Sequence, residues 1–259
     1  MGSSVRLEVD DGVAVVRIER PPANAISHAV GVELGEAFAE AASREDVGAV
    51  VIWGGPSIFA AGADIKEMAA FGPGEILPVV SSFGSALEAL ESMPKISIAA
   101  VNGYALGGGM ELALAADLRY VGTDATFGQP EIKLGVFPGA GGTQRLPRIV
   151  GVAAARRLVL TGRQIDAEEA DRLGLADRML PPDAVFETAV ADARGFARGP
   201  RRALAAAKAA LRAAAETPGP TGFAIERELF VSLFDTADQK EGMRAFLEKR
   251  PPDFAGGQT

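Results

Sequence analysis

The chain opens with a period of two. Val5, Leu7 and Val9 share one face, Asp11-Gly12 supplies a turn, and Val13, Val15, Val16 and Ile18 follow. Alternation around an Asp-Gly pair predicts a β-hairpin, which Pro21-Pro22 ends. Ser27 is placed to cap a helix running to about Ser43, with Leu34, Phe38 and Ala41 or Ala42 as its apolar stripe. Val47–Trp53 is a short continuous apolar run, as expected of a strand buried on both faces, and Ile96–Val101 reads as another buried strand. Between them, Phe59–Lys66 reads as a loop of small residues, Phe71–Gly74 as a mobile Gly/Pro-rich stretch, and Ile76–Met93 as a helix.

Beyond Val101 the signals alternate again. A helix is expected from Gly109 to Ala116, a strand over Leu118–Val121, and a short extended piece over Thr126–Gly128. Helical periodicity returns over Gly139–Val150, Val152–Leu160, Ala167–Leu173 and Asp183–Ala197. Strand–helix alternation argues an α/β fold. From about Pro200 the pattern is purely helical, over Arg201–Ala215, Phe223–Phe234 and Asp238–Glu248, with a break at Thr217–Pro220. The expected division is a core over residues 1–198 and a helical region over 199–259.

Composition narrows the chemistry. With 259 residues, 48% of them hydrophobic, the chain can bury a substantial core. A net charge of −8 with no basic run argues against nucleic acid or an anionic membrane as partner. There is no cysteine, which removes disulfides, thiolate nucleophiles and Cys-zinc sites. His28 is the only histidine, so His-rich metal sites are excluded. It reads as a surface or cap residue. Met1–Asp10 has neither the basic nor the apolar region of a signal peptide. Ile96–Ala116 is apolar enough to suggest a membrane span, but Asn102, Glu111 and four glycines make it a buried strand–turn–helix instead. A cytoplasmic protein is expected.

Two glycine-rich loops remain. Neither is a P-loop, since no Gly-Lys-Ser/Thr follows. Residues 139–144 resemble only half a dinucleotide fingerprint. Gly107–Gly109 lies at a strand-to-helix junction, where free amides and a positive helix end suit an oxyanion. Tight strand–helix packing would use the same glycines. Glu111 follows among Met110, Leu112, Ala113 and Leu114, an expensive place for an unpaired charge. It is either a first-turn glutamate favouring the helix dipole or a catalytic carboxylate. Glu131, twenty residues on, is either a solvated turn residue or its partner. Two carboxylates meeting in an apolar cleft form a proton-handling device.

Four stretches carry a family resemblance. The run 100–113, Ala-Val-Asn-Gly-Tyr-Ala-Leu-Gly-Gly-Gly-Met-Glu-Leu-Ala, resembles the signature of the crotonase (enoyl-CoA hydratase/isomerase) superfamily. So do Ala60–Met68, Phe127–Arg145 and Glu241–Arg250, in order along essentially the whole chain. The resemblance implies an α/β crotonase-like spiral of repeated β-β-α turns, with a C-terminal helical trimerisation region. It implies an acyl-CoA thioester as substrate, with no metal or redox cofactor, and a homotrimer or a hexamer built as a dimer of trimers.

Carried over by position, Ala63 and Gly108 match the oxyanion-hole amides, and Glu111 and Glu131 match the two acids of the hydratases. Ala61, Ala63, Asp64, Ile65, Lys66, Gly107 and Gly108 match the stretches lining the CoA and substrate site. Phe230, Phe246 and Lys249 match C-terminal positions that contact CoA from a neighbouring subunit. Pro21–Ser27 matches the N-terminal CoA-contacting turn only loosely, and Asp64 equally suits a helix N-cap. Keeping both glutamates favours hydration, with Glu111 as base on water and Glu131 as acid to the α-carbon. An enoyl-CoA isomerase, another acyl-CoA lyase, and a catalytically idle acyl-CoA-binding protein remain as alternatives.

Overall fold

The computed structural model of the chain describes residues 3–254, so residues 1–2 and 255–259, at the outer ends of the two expected divisions, lie outside the described residues. The hairpin is formed by β1 (Val5–Asp10) and β2 (Val13–Ile18), with Val9 opposite Ala14 across the Asp11-Gly12 turn. Helix α1 (His28–Ser43) is capped by Ser27, whose side chain accepts from Val30 N–H. Then come β3 (Ala49–Trp53), β4 (Ile58–Ala60), α2 (Ile65–Met68), α3 (Pro73–Ser92), β5 (Ile96–Val101), β6 (Tyr104–Leu106) and α4 (Gly108–Ala115). The chain continues through β7 (Leu118–Gly122), β8 (Thr126–Gly128), a 3-10 turn over Pro130–Leu134, α5 (Gly142–Val150), α6 (Val152–Thr161), β9 (Gln164–Asp166), α7 (Ala167–Arg172), β10 (Arg178–Leu180) and α8 (Val185–Arg198). It closes with α9 (Arg201–Glu216), α10 (Gly219–Ser232) and α11 (Ala237–Glu248).

Two sheets organise the core. One has six strands in the order β1-β2-β3-β5-β7-β10, parallel except for the hairpin. The other has four in the order β4-β6-β8-β9, with only β9 antiparallel. The apolar runs are buried on both faces because helices cover both. Val50 and Ile52 pack toward α1 and α3, whereas Ala49 and Val51 pack toward Val185, Ala189 and Ala193 of α8.

Several boundaries differ from expectation. Phe59–Lys66 is not one loop, because Ile58–Ala60 pairs with β6 and Asp64 starts α2. Phe71–Gly74 is not a free stretch: α3 begins three residues before Ile76, since Gly72 is its N-cap, Pro73 enters its first turn, and Glu75 accepts from Gly72 N–H at 3.0 Å. Helix α5 starts at Gly142 rather than Gly139, because the amides of 140 and 142 serve a side chain described below. Helix α10 starts at Gly219, inside the expected break, because Pro220 is tolerated in a first turn.

The C-terminal helices are tied to the core through α9. Lys208 donates to Asp117 Oδ2 at 2.8 Å and to the carbonyls of Leu90 and Lys95. Helix α10 packs on α9, and Phe223, Phe230, Phe246 and Leu247 stand exposed on α10 and α11. No helix among the described residues is long and apolar enough to cross a membrane.

Candidate active site

The second sheet positions the site. Its strands β4 and β6 run parallel and deliver Ala61–Ala63 beside Leu106–Gly108. The approach is so close that a Cβ on Gly109 would sit 2.0 Å from the carbonyl oxygen of Ala60, so only glycine fits. Outside this junction the segment 23–26 adds a further layer. Ala61 N–H donates to Ala23, Ile26 N–H to Gly62, and Asp64 N–H to Ile26. These bonds leave the N–H of Ala63 pointing away from Ile26, with no backbone partner among the described residues. Gly108 is the first residue of α4, so its N–H has no helical carbonyl behind it. Both residues line a cavity of about 320 Å³.

Glu111 and Glu131 line the same cavity. Glu111 is 3% exposed. Its Oε1 accepts from the backbone N–H of Ala140 and of Gly142, each at 2.8 Å. The glycine-rich loop before α5 therefore cradles an internal carboxylate. Oε2 takes no hydrogen bond from any described residue. Burial pushes the Glu111 carboxyl above its ordinary range, while the two amides and the charge of Arg145 pull it back.

Glu131 sits in the 3-10 turn, half-buried against Gly107. Burial, then the nearby charge of Glu111, pushes its carboxyl up to about 7. Gln129 is fully buried beside it and, with its amide nitrogen facing the carboxylate, donates to Glu131 Oε1 at 2.8 Å and Oε2 at 3.2 Å. Sequence reading missed Gln129. Its only signal is a polar side chain directly before Pro130-Glu131.

The remaining expected residues divide. Ala61, Ala63, Ile65, Gly107 and Gly108 border the cavity. Asp64 is the N-cap of α2, accepting from Lys66 and Glu67 N–H, and it pairs with Arg20 at 2.6 Å. That pairing holds its carboxyl below the usual range. Lys66 is exposed just outside. Phe230, Phe246 and Lys249 are exposed on the C-terminal helices and do not border the cavity. His28 opens α1, where its N–H donates to Glu67 and its ring meets Ser82 Oγ at 3.3 Å, so it is a structural residue near the site.

The chain matches the family described as Enoyl-CoA hydratase/isomerase over residues 8–257. It is 44% identical to a Mycobacterium bovis protein named "Probable enoyl-CoA hydratase", over 97% of both chains. It is also 44% identical to the 2,3-dehydroadipyl-CoA hydratase of Escherichia coli, over 94% of this chain and 95% of that one. Among solved structures, an enoyl-CoA hydratase from Bacillus anthracis superposes with a TM-score of 0.92 at 36% identity, over 96% of this chain and 98% of the other. One from Geobacillus kaustophilus reaches a TM-score of 0.95 at 32% identity, over 99% and 98%. The fold, the sequence match and these likenesses agree, and the chain belongs to the enoyl-CoA hydratase/isomerase, or crotonase, family.

Proposed function

We propose that this chain adds water across the double bond of a trans-2-enoyl-CoA to give a 3-hydroxyacyl-CoA. One observation carries the reading. Two glutamates share an apolar cavity with two unengaged amides, one glutamate pinned by backbone donors and the other pushed up to about 7. The N–H groups of Ala63 and Gly108 hold the thioester oxygen, with α4 adding its positive end. Glu111 Oε2 takes a proton from water as the water oxygen bonds to the β-carbon. The double-bond electrons move onto the thioester as an enolate. The enolate collapses by taking a proton from Glu131 at the α-carbon. A proton passed from Glu111 to Glu131 restores the resting state. The reaction needs no metal or redox group.

The cavity also supports a substrate class. Its acyl end is formed by Met68, Ile76, Val79, Phe83, Leu134 and Phe137. No Lys, Arg or His is among the described residues that line it. A second carboxylate on the acyl chain would meet no cation there, so the proposed substrates are neutral aliphatic enoyl thioesters. The CoA moiety would leave past Ala61 and Asp64–Lys66. Phe230, Phe246 and Lys249 would contact CoA in a neighbouring subunit of a trimer or hexamer, a reading supported by their exposure on α10 and α11. Residues 199–259 would then serve assembly and 1–198 the chemistry.

The test is absorbance loss of crotonyl-CoA with identification of the product. Formation of 3-hydroxybutyryl-CoA, lost in Glu111→Gln and Glu131→Gln, is the expected result. A shifted double bond without added water would replace hydration with isomerisation. Binding without turnover across a panel of enoyl thioesters would make the protein a binder.

A further inference from the structure

Glu91, in the last turn of α3, and Arg145, in α5, form an ion pair behind the cavity that the chemistry above does not use. The Arg145 side chain is 10% exposed. Its Nε and Nη2 both donate to Glu91 Oε2, at 3.0 and 2.7 Å. Its Nη1 turns to the other side and donates to the backbone carbonyl of Ala140 at 2.9 Å. The peptide linking Ala140 to Gly141 is thereby fixed, and it lies between the two amides that hold Glu111. A Cβ at Gly141, whose φ is +106°, would come within 2.1 Å of Nη1, so the glycine is what lets the guanidinium in.

We infer that Arg145, seated on Glu91, is a positioning residue for Glu111: it orients the 140–141 peptide so that both flanking N–H groups converge on Oε1 and Oε2 is left to the reaction. The inference rests on the reading that Glu111 acts on substrate. A buried arginine bonded to one carbonyl could serve packing alone, so its electrostatic effect separates the two roles. The charged groups facing Glu111 are Arg145 from α5 and Glu131 from the 3-10 turn, with Glu91 of α3 neutralising Arg145 from behind. Removing the Arg145 charge makes Glu111 harder to ionise. Removing the Glu91 charge leaves Arg145 uncompensated and makes Glu111 easier to ionise.

The experiment is crotonyl-CoA hydration as a function of pH in Arg145→Met, Arg145→Lys, Glu91→Gln and Glu111→Gln, with melting curves for each. In Arg145→Met, kcat is expected to fall about 100-fold, the scale of a misplaced catalytic group, with KM nearly unchanged. The acid limb of its kcat profile moves to higher pH. Arg145→Lys brings the limb back while recovering part of kcat. Glu91→Gln moves the limb to lower pH, and it decides the matter if Arg145→Met does not fold. A folded Arg145→Met with wild-type kcat and an unmoved limb overturns the inference. So does a loss of activity that follows loss of folded protein with the limb in place. Full turnover in Glu111→Gln overturns the reading of Glu111 and this inference together, whereas an inactive Glu111→Gln beside an unaltered Arg145→Met overturns this inference alone.

Discussion

Gly142, the first residue of α5, donates its N–H to Oε1 of Glu111, a first-turn residue of α4, at 2.8 Å. Two helix starts thus meet on one carboxylate. Their positive ends favour its charged form, while burial opposes it. Glu131 takes its support from the Gln129 side-chain amide rather than from a helix start. Its carboxyl, pushed up to about 7, stays largely protonated in mildly acidic solution. The backbone donors on Glu111 and the raised carboxyl of Glu131 fit the base and acid roles proposed above.

The pH–rate profile follows from these roles. Glu131 must hold a proton to deliver it, so kcat/KM should fall as pH rises through about 7. Glu111 must be ionised, so activity should also fall in acid. Because the pair is coupled, the two limbs report the pair rather than each residue alone. Crotonyl-CoA hydration measured between pH 5 and 9 checks this. A profile flat from neutral to alkaline pH would remove Glu131 as the acid.

The same residue should cost stability. A carboxyl raised in the folded state contributes stability below its ordinary value of 4.5, and loses that contribution as pH rises through about 7. A glutamine there carries no charge to desolvate. Glu131→Gln should therefore melt higher than the parent at pH 8, with the gap closing toward pH 5. Melting curves at both values read it directly. An equal gap at both values would mean that the charge is not what burial penalises.

Sequence and structure agree most where burial is two-sided. Ile96–Val101 was legible to the residue because helices cover both faces and only Ser97 interrupts the apolar run. The second sheet was largely invisible, because β4, β6 and β9 have three residues each, too few to show a period. Glu111 and Glu131 stood out as carboxylates in apolar or proline-bounded settings. Their supports did not. Gln129 and Arg145 act through contacts set by the fold, and Arg145 meets Glu91 from 54 residues away. The loop 139–144 was noticed only as half a dinucleotide fingerprint, and the group its amides hold is a side chain of the same chain.

Gly108 and Gly109 are neighbours with different constraints. A Cβ on Gly109 would strike the Ala60 carbonyl at 2.0 Å, whereas one on Gly108 would meet the ends of Phe83 and Ile26 at 3.3 and 3.4 Å. Gly109→Ala should destabilise by about 3 kcal/mol or more, since backbone must shift. Gly108→Ala should fold and keep its N–H, while narrowing the cavity for the acyl chain. Urea unfolding of both, with KM for crotonyl-CoA in the second, checks the contrast. Equal stability of the two variants would contradict this account of the β4–α4 junction.

Substrate choice offers the last prediction. The Escherichia coli relative is named for an acyl chain ending in a carboxylate. Here the part of the cavity proposed for the acyl chain is walled by Met68, Ile76, Val79 and Phe83, with the exposed Leu134 and Phe137 beside them. An unpaired carboxylate among these groups loses hydration and gains no cation. The neutral chain of the same length gains apolar contact instead. The kcat/KM for trans-2-hexenoyl-CoA should exceed that for 2,3-dehydroadipyl-CoA by on the order of 100-fold, the ratio that ~3 kcal/mol of differential transition-state binding gives. Side-by-side assays on the two thioesters test it. Comparable values would show that the distal carboxylate escapes to solvent past the exposed Phe137, and the apolar wall would then set chain path rather than chain charge.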